Sequence, residues 1–403
     1  MSTRIALPRY ARFGAGALND VGELVKRLGS SRPAVITDAF LAGNGRAERV
    51  MELLRAVDTQ PVLFSETVPD PTTDSLDAAL QVIREHRADA VIGFGGGSPM
   101  DTAKALAVLA SNGGQMRDYR APRSYEGPVL PIIAIPTTAG SGSETTQFTI
   151  ITDTAADEKM LCPGLSFLPV AAIVDFELTL SMPPRLTADT GIDALTHAVE
   201  AYVSRKANPI SDALALAAIK TISANLRRAY HDGADRDARE AMMMAATQAG
   251  IAFSNSSVAL VHGMSRPIGA HFHVAHGLSN AMLFPAVTAF SLHAAPRRYA
   301  ECARAYGISA VGSDLAVARR FVDKIASLCE ELHVPTPRAY GIDKTVWEDK
   351  IPIMAQQALD SGSPANNPAV PTNIEIQEIY ADVYDDRLVA ACRPHDQLTW
   401  PAW

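Results

Sequence analysis

The chain of 403 residues carries a net charge of −8, with 47% hydrophobic, 20% charged and 6% aromatic residues. That length exceeds one ordinary core and predicts two domains, and the profile is globular, which excludes a disordered or fibrous chain. The acidic balance, with a pI near 5.7, gives no electrostatic reason to expect nucleic acid or an anionic membrane as a partner.

The opening MSTRIALPRYARF lacks the apolar stretch of a secretory signal, and no apolar run is long enough to span a bilayer. The expected location is therefore cytoplasmic. PAVITD (33–38) predicts a strand and AERVMELLRAV (47–57) a helix; PVLFSE (61–66) and SLDAALQVIREH (75–86) repeat the pair. DAVIGFG (89–95) and VLPIIAIP (129–136) are continuous apolar runs, as strands buried on both faces require, and the alternation predicts βαβ units with right-handed crossovers. MPP (182–184) breaks the pattern. ISDALALAAIKTISANLRRAY, AREAMMMAATQAGIAF and LAVARRFVDKIASLCEEL follow with helical periodicity and few β-branched runs. The expected architecture is an α/β N-terminal domain over residues 1–183, with a Rossmann-like parallel sheet, and an all-α domain over residues 184–403. Cys162, Cys302, Cys329 and Cys392 have no CxxC spacing and read as reduced thiols.

GFGGGSPMDTAKALAVLA (93–110) joins a buried strand to a helix through glycines. Such a turn lets a pyrophosphate approach the backbone and the positive end of the helix, although a plain strand-to-helix junction uses the same residues. PTTAGSGSETT (136–146) follows the next strong strand with hydroxyls and free amides, as a phosphate-binding loop or an ordinary polar loop does. Together they predict a dinucleotide beyond the carboxyl ends of parallel strands. Asp38, at a strand end, suits ribose hydroxyls and would repel a 2′-phosphate, which points to NAD; an aspartate there also serves as a helix cap.

Asp193 and His197 are i and i+4 in GIDALTHAVEAYVS, on one helix face, and His262 and His276 bound HGMSRPIGAHFHVAH. Three nitrogens and one oxygen with a position left open describe a catalytic divalent ion better than a closed structural one. Each residue alone has a plainer reading: a packed histidine, or for Asp193 a first-turn charge on the helix dipole. Ala194, Ala198, Gly263 and Gly277 read as small neighbours that leave room for an ion. His271, His273 and His293 stay outside the set.

With GGGSPMDTAK (95–104), PTTAGSGSETT, GIDALTHAVEAY (191–202) and HGMSRPIGAHFHVAHG (262–277), the sequence resembles the iron-dependent, or group III, alcohol dehydrogenase family over nearly its whole length. The resemblance implies a dinucleotide-binding N-terminal domain and a helical metal-binding C-terminal domain. It implies Asp193, His197, His262 and His276 as metal ligands, and Asp38, Gly96, Gly97, Ser98, Asp101, Thr137, Thr138, Ser141 and Lys159 as cofactor contacts. Ser141 stands where relatives often have threonine, and Lys159 alone would read as a solvated loop lysine. The implied ion is Fe2+, and the donor set also suits Zn2+. The implied reaction is hydride transfer between NAD(H) and an alcohol–aldehyde or alcohol–ketone pair, with the ion as Lewis acid. A homodimer or larger homo-oligomer is expected by resemblance.

One position departs from the pattern. Many alcohol-oxidising relatives carry a histidine four residues after the third ligand, where this chain has Arg266. Arginine cannot act as a general base; it either binds a substrate carboxylate or phosphate or pairs with a nearby acid. Two rival readings remain: a metal- and NAD-dependent lyase of the dehydroquinate synthase type, and a degenerate homologue that only binds NAD. RLVAACRPHDQLTWPAW (387–403) extends past the family's usual final helix and reads as a packing segment or a variable end.

Overall fold

A computed structural model of the chain describes residues 3–384. Arg4–Met182 forms one compact unit and the chain from Pro183 onward forms the other. The tail at 387–403, with Cys392, lies outside the described residues.

The first unit contains eight strands: β1 (Tyr10–Phe13), β2 (Pro33–Ile36), β3 (Val62–Phe64), β4 (Ala90–Gly95), β5 (Ile132–Pro136), β6 (Phe148–Asp153), β7 (Glu158–Pro163) and β8 (Ala171–Val174). Six of them form a sheet in the order β1-β8-β5-β4-β2-β3, with every pair parallel. The helices α1 (Val21–Arg27), α2 (Ala39–Gly43), α3 (Arg46–Arg55), α4 (Leu76–His86) and α5 (Gly97–Asn112) alternate with the strands. Every residue of β2, β4, β5 and β8 is buried. Neighbouring residues point into two different cores: Ala34, Ile36 and Val91 pack with Leu80 and Leu106 on one face, while Val35, Ile92 and Phe94 pack with Leu24 and Leu54 on the other. The continuous apolar runs are thus explained by a sheet covered on both sides.

The antiparallel hairpin β6–β7, Phe148 opposite Pro163 and Asp153 opposite Glu158, was not foreseen. Its alternation is partly polar, since the inward positions of β6 include Thr149 and Asp153. Short β1 and β8 were likewise missed; they pair with each other at one side of the sheet.

The second unit is helical throughout its described residues: α6 (Pro184–Val203), α7 (Pro209–His231), α8 (Arg236–Asn255), α9 (Leu260–Phe272), α10 (His276–Ser291), α11 (Pro296–Tyr306), α12 (Asp314–Glu331), α13 (Pro337–Tyr340), α14 (Lys344–Asp360) and α15 (Asn373–Tyr384). Pro184, the last residue of the MPP break, opens α6, where its missing N–H costs nothing. From Thr187 to Val203 nearly every residue of α6 is buried, including Asp189, Asp193, Thr196, His197 and Glu200. A helix buried all round should be apolar, so this row of polar groups at its centre demands partners. Among the described residues no helix is long and apolar enough to cross a membrane.

Candidate functional site

Four donor atoms, one each from Asp193, His197, His262 and His276, lie within 4.8 Å of one another. Asp193 and His197 sit one turn apart in the middle of α6, not in its first turn, so the dipole explanation for Asp193 fails. His262 lies in the first turn of α9 and His276 is the first residue of α10. From Asp193 Oδ1 the distances are 3.8 Å to His197 Nδ1, 3.5 Å to His262 Nε2 and 3.9 Å to His276 Nε2. His197 stacks between Phe253 and His262, with ring centroids 4.2 and 4.4 Å away. The His276 side chain is 38% exposed while the other three are about a tenth as open, at 4%, so the cluster is reached from the His276 side.

Two residues that sequence reasoning missed complete this arrangement. Glu200 is buried on α6, in line with Asp193 and His197 at i, i+4 and i+7. Its Oε1 accepts the free Val261 N–H at the start of α9 at 2.6 Å, and its Oε2 takes His262 Nδ1 at 2.6 Å. One carboxylate thereby caps α9 and fixes the His262 tautomer, leaving the Nε2 lone pair toward Asp193. Asn280, one turn after His276, directs its amide nitrogen to Asp193 Oδ1 at 2.7 Å, His262 Nε2 at 3.1 Å and His276 Nε2 at 3.2 Å. Among the described residues its buried Oδ1 has no hydrogen-bond partner. A donor group thus stands among lone pairs that converge on one point, which is what a cation requires of them. The residues present fit a divalent ion.

The electrostatics agree. Burial alone would raise the Asp193 carboxyl, but His197, His276 and His262 outweigh it and hold the group below the usual carboxylate range. Burial would lower His262, and Glu200 and Asp193 reverse that, so its pKa is raised.

The small neighbours do different work from that expected. A Cβ on Gly277 would lie 2.7 Å from the Asp189 carbonyl oxygen, and one on Gly263 would lie 2.8 Å from the Pro364 ring. These glycines let α10 approach α6 and let the 363–364 turn dock on α9; they serve close packing, not ion clearance.

In the first unit, the loops after β2, β4 and β5 leave neighbouring strands at the same end of the sheet, and the strand order reverses between β2 and β4. Asp38 caps α2, its Oδ1 accepting the Leu41 N–H at 2.9 Å. Its other oxygen has no hydrogen-bond partner among the described residues. Gly95 has φ +152, and a Cβ there would meet the Pro99 ring at 2.5 Å, so the turn itself demands glycine. Gly96 and Gly97 differ: added Cβ atoms would make only ordinary contacts, 3.6 Å to Thr138 and 3.5 Å to Ser141. The protein's own packing does not require glycine at these two positions, and bare backbone at the start of α5 fits an approaching pyrophosphate.

Thr137 donates its N–H to the Gly95 carbonyl at 2.9 Å, and Gly97 lies against Ser141, so the two glycine-rich loops lie side by side; within the second, Ser141 Oγ accepts the Ser143 N–H at 3.3 Å. Asp101 is engaged by the second of these loops and by the strand that follows it. Its Oδ1 accepts from Ser143 Oγ at 2.8 Å and its Oδ2 from the Ile150 N–H at 3.0 Å. Burial pushes this carboxyl up, with Lys104 opposing. Lys104, fully buried, donates to Thr146 O at 3.1 Å, Thr146 Oγ1 at 2.9 Å and Phe148 O at 2.8 Å. Lys159 is no solvated loop lysine: it lies in β7, is 4% exposed and pairs with Asp70 at 2.8 Å. The Asp70 N–H in turn donates to Ser98 Oγ at 3.2 Å, so one unforeseen residue ties two of the expected cofactor contacts together.

Residues 8–176 match the family described as iron-containing alcohol dehydrogenase, and residues 187–384 its C-terminal counterpart. The chain belongs to the iron-containing alcohol dehydrogenase family. It is 38% identical to an NAD-dependent methanol dehydrogenase of Bacillus methanolicus, over 94% of this chain and 98% of that protein. A crystal structure of a 1,3-propanediol oxidoreductase superposes with a TM-score of 0.91 at 34% identity, covering 95% of this chain and all of that one. A sulfoacetaldehyde reductase from Bifidobacterium kashiwanohense, solved with NAD+, superposes at 0.84 with 28% identity, covering 95% and 99%. This alcohol dehydrogenase is therefore an NAD- and metal-dependent oxidoreductase that moves a hydride between the dinucleotide and an alcohol–aldehyde or alcohol–ketone pair. The matches favour that chemistry over the lyase and over a degenerate binding module.

Proposed function

We propose that the enzyme acts on a small alcohol or its carbonyl counterpart, with the metal held by Asp193, His197, His262 and His276 and the dinucleotide held by the loops after β2, β4 and β5. The observation that carries this reading is the convergence of the four donor atoms within 4.8 Å. When bound, a divalent ion such as Fe2+ or Zn2+ supplies Lewis-acid polarisation of the reacting oxygen, and NAD supplies the hydride acceptor.

The chain's own residues do the rest. Glu200 keeps the His262 Nε2 lone pair aimed at the cluster. The amides of Gly96, Gly97 and Ser98 at the start of α5 receive the pyrophosphate. The free oxygen of Asp38 receives ribose hydroxyls and disfavours a 2′-phosphate. Thr137, Thr138 and Ser141 offer hydroxyls beside them, and Lys159 is oriented by Asp70. Asp101 contributes by holding Ser143 and Ile150, which shapes the second loop. Arg266 cannot carry the alcohol proton, which leaves through water or a ribose hydroxyl. In this reading residues 1–183 form the NAD-binding domain and residues 184–403 the catalytic one. In the same reading the enzyme works in the cytoplasm, and as a homodimer or larger homo-oligomer by resemblance to its family.

Relatives named for methanol, 1,3-propanediol and sulfoacetaldehyde span neutral and anionic substrates, so the substrate class rests on the pocket. The deciding experiment couples metal analysis to an NAD-reduction screen over alcohols, diols and hydroxy acids. One Fe2+ or Zn2+ per chain and metal-dependent NADH formation are expected. A purified protein that holds no stoichiometric metal after reconstitution with either ion would sink the proposal, and turnover of a substrate without net NADH would favour the lyase.

A further inference from the structure

Arg266 is a buried cation that forms no ion pair among the described residues. It lies one turn after His262 on α9, so both side chains leave the same helix face, about 6 Å apart along the axis. It is only 7% exposed. Among the described residues it forms no ion pair, and its single hydrogen bond runs from Nη1 to Ser363 Oγ at 3.0 Å. The negative group acting on it is Glu200, but both Glu200 oxygens are already taken by the Val261 N–H and His262. A guanidinium has five donors, so most of them have no acceptor within the protein. None of those donors is fully closed off from solvent.

The setting is rigid. Ser363 is buried, and the following Pro364 packs so closely on α9 that Gly263 has no room for a Cβ. Burial pushes the Arg266 pKa down to about 10, with Glu200 opposing, which still leaves it charged at neutral pH. A charge kept in such a place without a partner is costly, and a ligand that brings the missing acceptors removes that cost. Among the described residues Arg266 is not paired with a nearby acid.

We propose that Arg266 is the anion-binding residue of the substrate pocket, and that the preferred substrate is a short alcohol or aldehyde carrying a carboxylate, sulfonate or phosphonate a few bonds from its reacting carbon. This deepens the dehydrogenase reading above and rests on it. In the oxidative direction the carbinol C–H bond breaks and its hydride passes to NAD+. The hydroxyl proton goes to solvent, a C=O bond forms, and the products are NADH, H+ and the carbonyl compound with its anionic group unchanged. The guanidinium presents two parallel N–H donors to that group.

The test uses the metal-loaded full chain and size-matched probes: 3-hydroxypropanoate, 2-hydroxyethanesulfonate and 2-hydroxyethylphosphonate against 1-propanol and 1,3-propanediol. At least one anion should exceed the neutral probes in kcat/KM by about 100-fold, and the three anions distinguish the acid type. Arg266→Gln should raise KM for that anion more than about 30-fold and change the neutral probes less than about threefold; Arg266→Lys, which keeps the charge but not the fork, should fall between. Equal losses on charged and neutral probes, or no preference in the unaltered enzyme, overturn the proposal. Calorimetry with propanoate and ethanesulfonate supplies a readout free of turnover. Binding to the wild type that is lost in Arg266→Gln supports anion recognition even if no probe yields NADH, in which case the dehydrogenase reading is what fails. No binding to either protein, with circular dichroism confirming that both are folded, overturns it.

Discussion

The glycine-rich loops and the histidine cluster both rest on buried charged groups, but they use them in opposite ways. Beneath the loops, Asp101 and Lys104 are satisfied by other protein atoms: Asp101 by Ser143 and Ile150, Lys104 by Thr146 and Phe148. The protein's own groups hold both side chains, so in the proposed reading the dinucleotide is met chiefly by backbone and hydroxyls that the buried pair keeps in place. In the cluster, lone pairs of Asp193, His262 and His276 converge on one amide nitrogen, with the amide oxygen of Asn280 left stranded. There the side chains themselves form the candidate ligand site. The contrast predicts separable failures: damage under the loops should weaken NAD binding and stability, whereas damage in the cluster should remove metal.

The largest effect belongs to Asp193→Asn. The amide keeps the shape of the carboxylate but not its charge, and its nitrogen would oppose a cation. Metal affinity should fall by more than about 100-fold, beyond what loss of a supporting carboxylate typically causes, and NADH formation should vanish with it. Elemental analysis after dialysis decides the first point and fluorescence titration with NADH the second control. Retained stoichiometric metal, or NADH affinity lost in step with metal, would break the separation between the two regions.

Glu200→Gln should come next. Glutamine can still accept one hydrogen bond, but its amide N–H2 cannot accept from the Val261 N–H or fix His262 as the Nδ1–H tautomer. A loss in metal affinity of about 10- to 100-fold is expected, with the NAD side unaffected. Unchanged competition against a chelator in the variant would show that the Glu200–His262 contact does not orient the ligand.

How much of this was legible beforehand follows the same division. Asp193 and His197 announce themselves because a helix repeats its face every three to four residues. The same rule reached far enough to find Glu200 and Asn280, but carboxamides and glutamates on helices are common, and only the burial of the whole of α6 reveals that Glu200 must have a partner. The parallel sheet was legible because buried strands write continuous apolar runs, while β6–β7 was not, since its inward positions include Thr149 and Asp153. Asp101 was read as a cofactor contact by resemblance; which way its carboxylate points depends on Ile150 and Ser143, set by folding of a distant segment and invisible in local spacing. Gly263 and Gly277 were assigned to the ion, and only the positions of Pro364 and Asp189 show that they serve packing.

The smallest and most discriminating change is Lys104→Met, which fills the same channel without the charge or its three hydrogen bonds. Metal content should stay intact, and KM for NAD should rise about tenfold as the Thr146–Phe148 segment loosens, since a lost hydrogen bond to a charged group is worth about 1.5–3 kcal/mol. The pH dependence of stability gives a second readout. Burial lowers Lys104 from 10.5 to about 8, with Asp101 and Glu144 only partly opposing. Between those two values the unfolded chain binds the proton and the folded one does not, so stability from this residue rises with pH across the window and is lost as pH falls through about 8. The shift corresponds to about 3 kcal/mol in total. The wild type should therefore gain on Lys104→Met, in paired melting curves, as the pH goes from 7.5 to 10. Other lysines and tyrosines titrate in the same range but are common to both proteins and cancel in the difference. A gap between the two melting temperatures that stays constant over that range would mean that Lys104 is not held as a desolvated amine, and the loops would then be supported by something other than the buried pair.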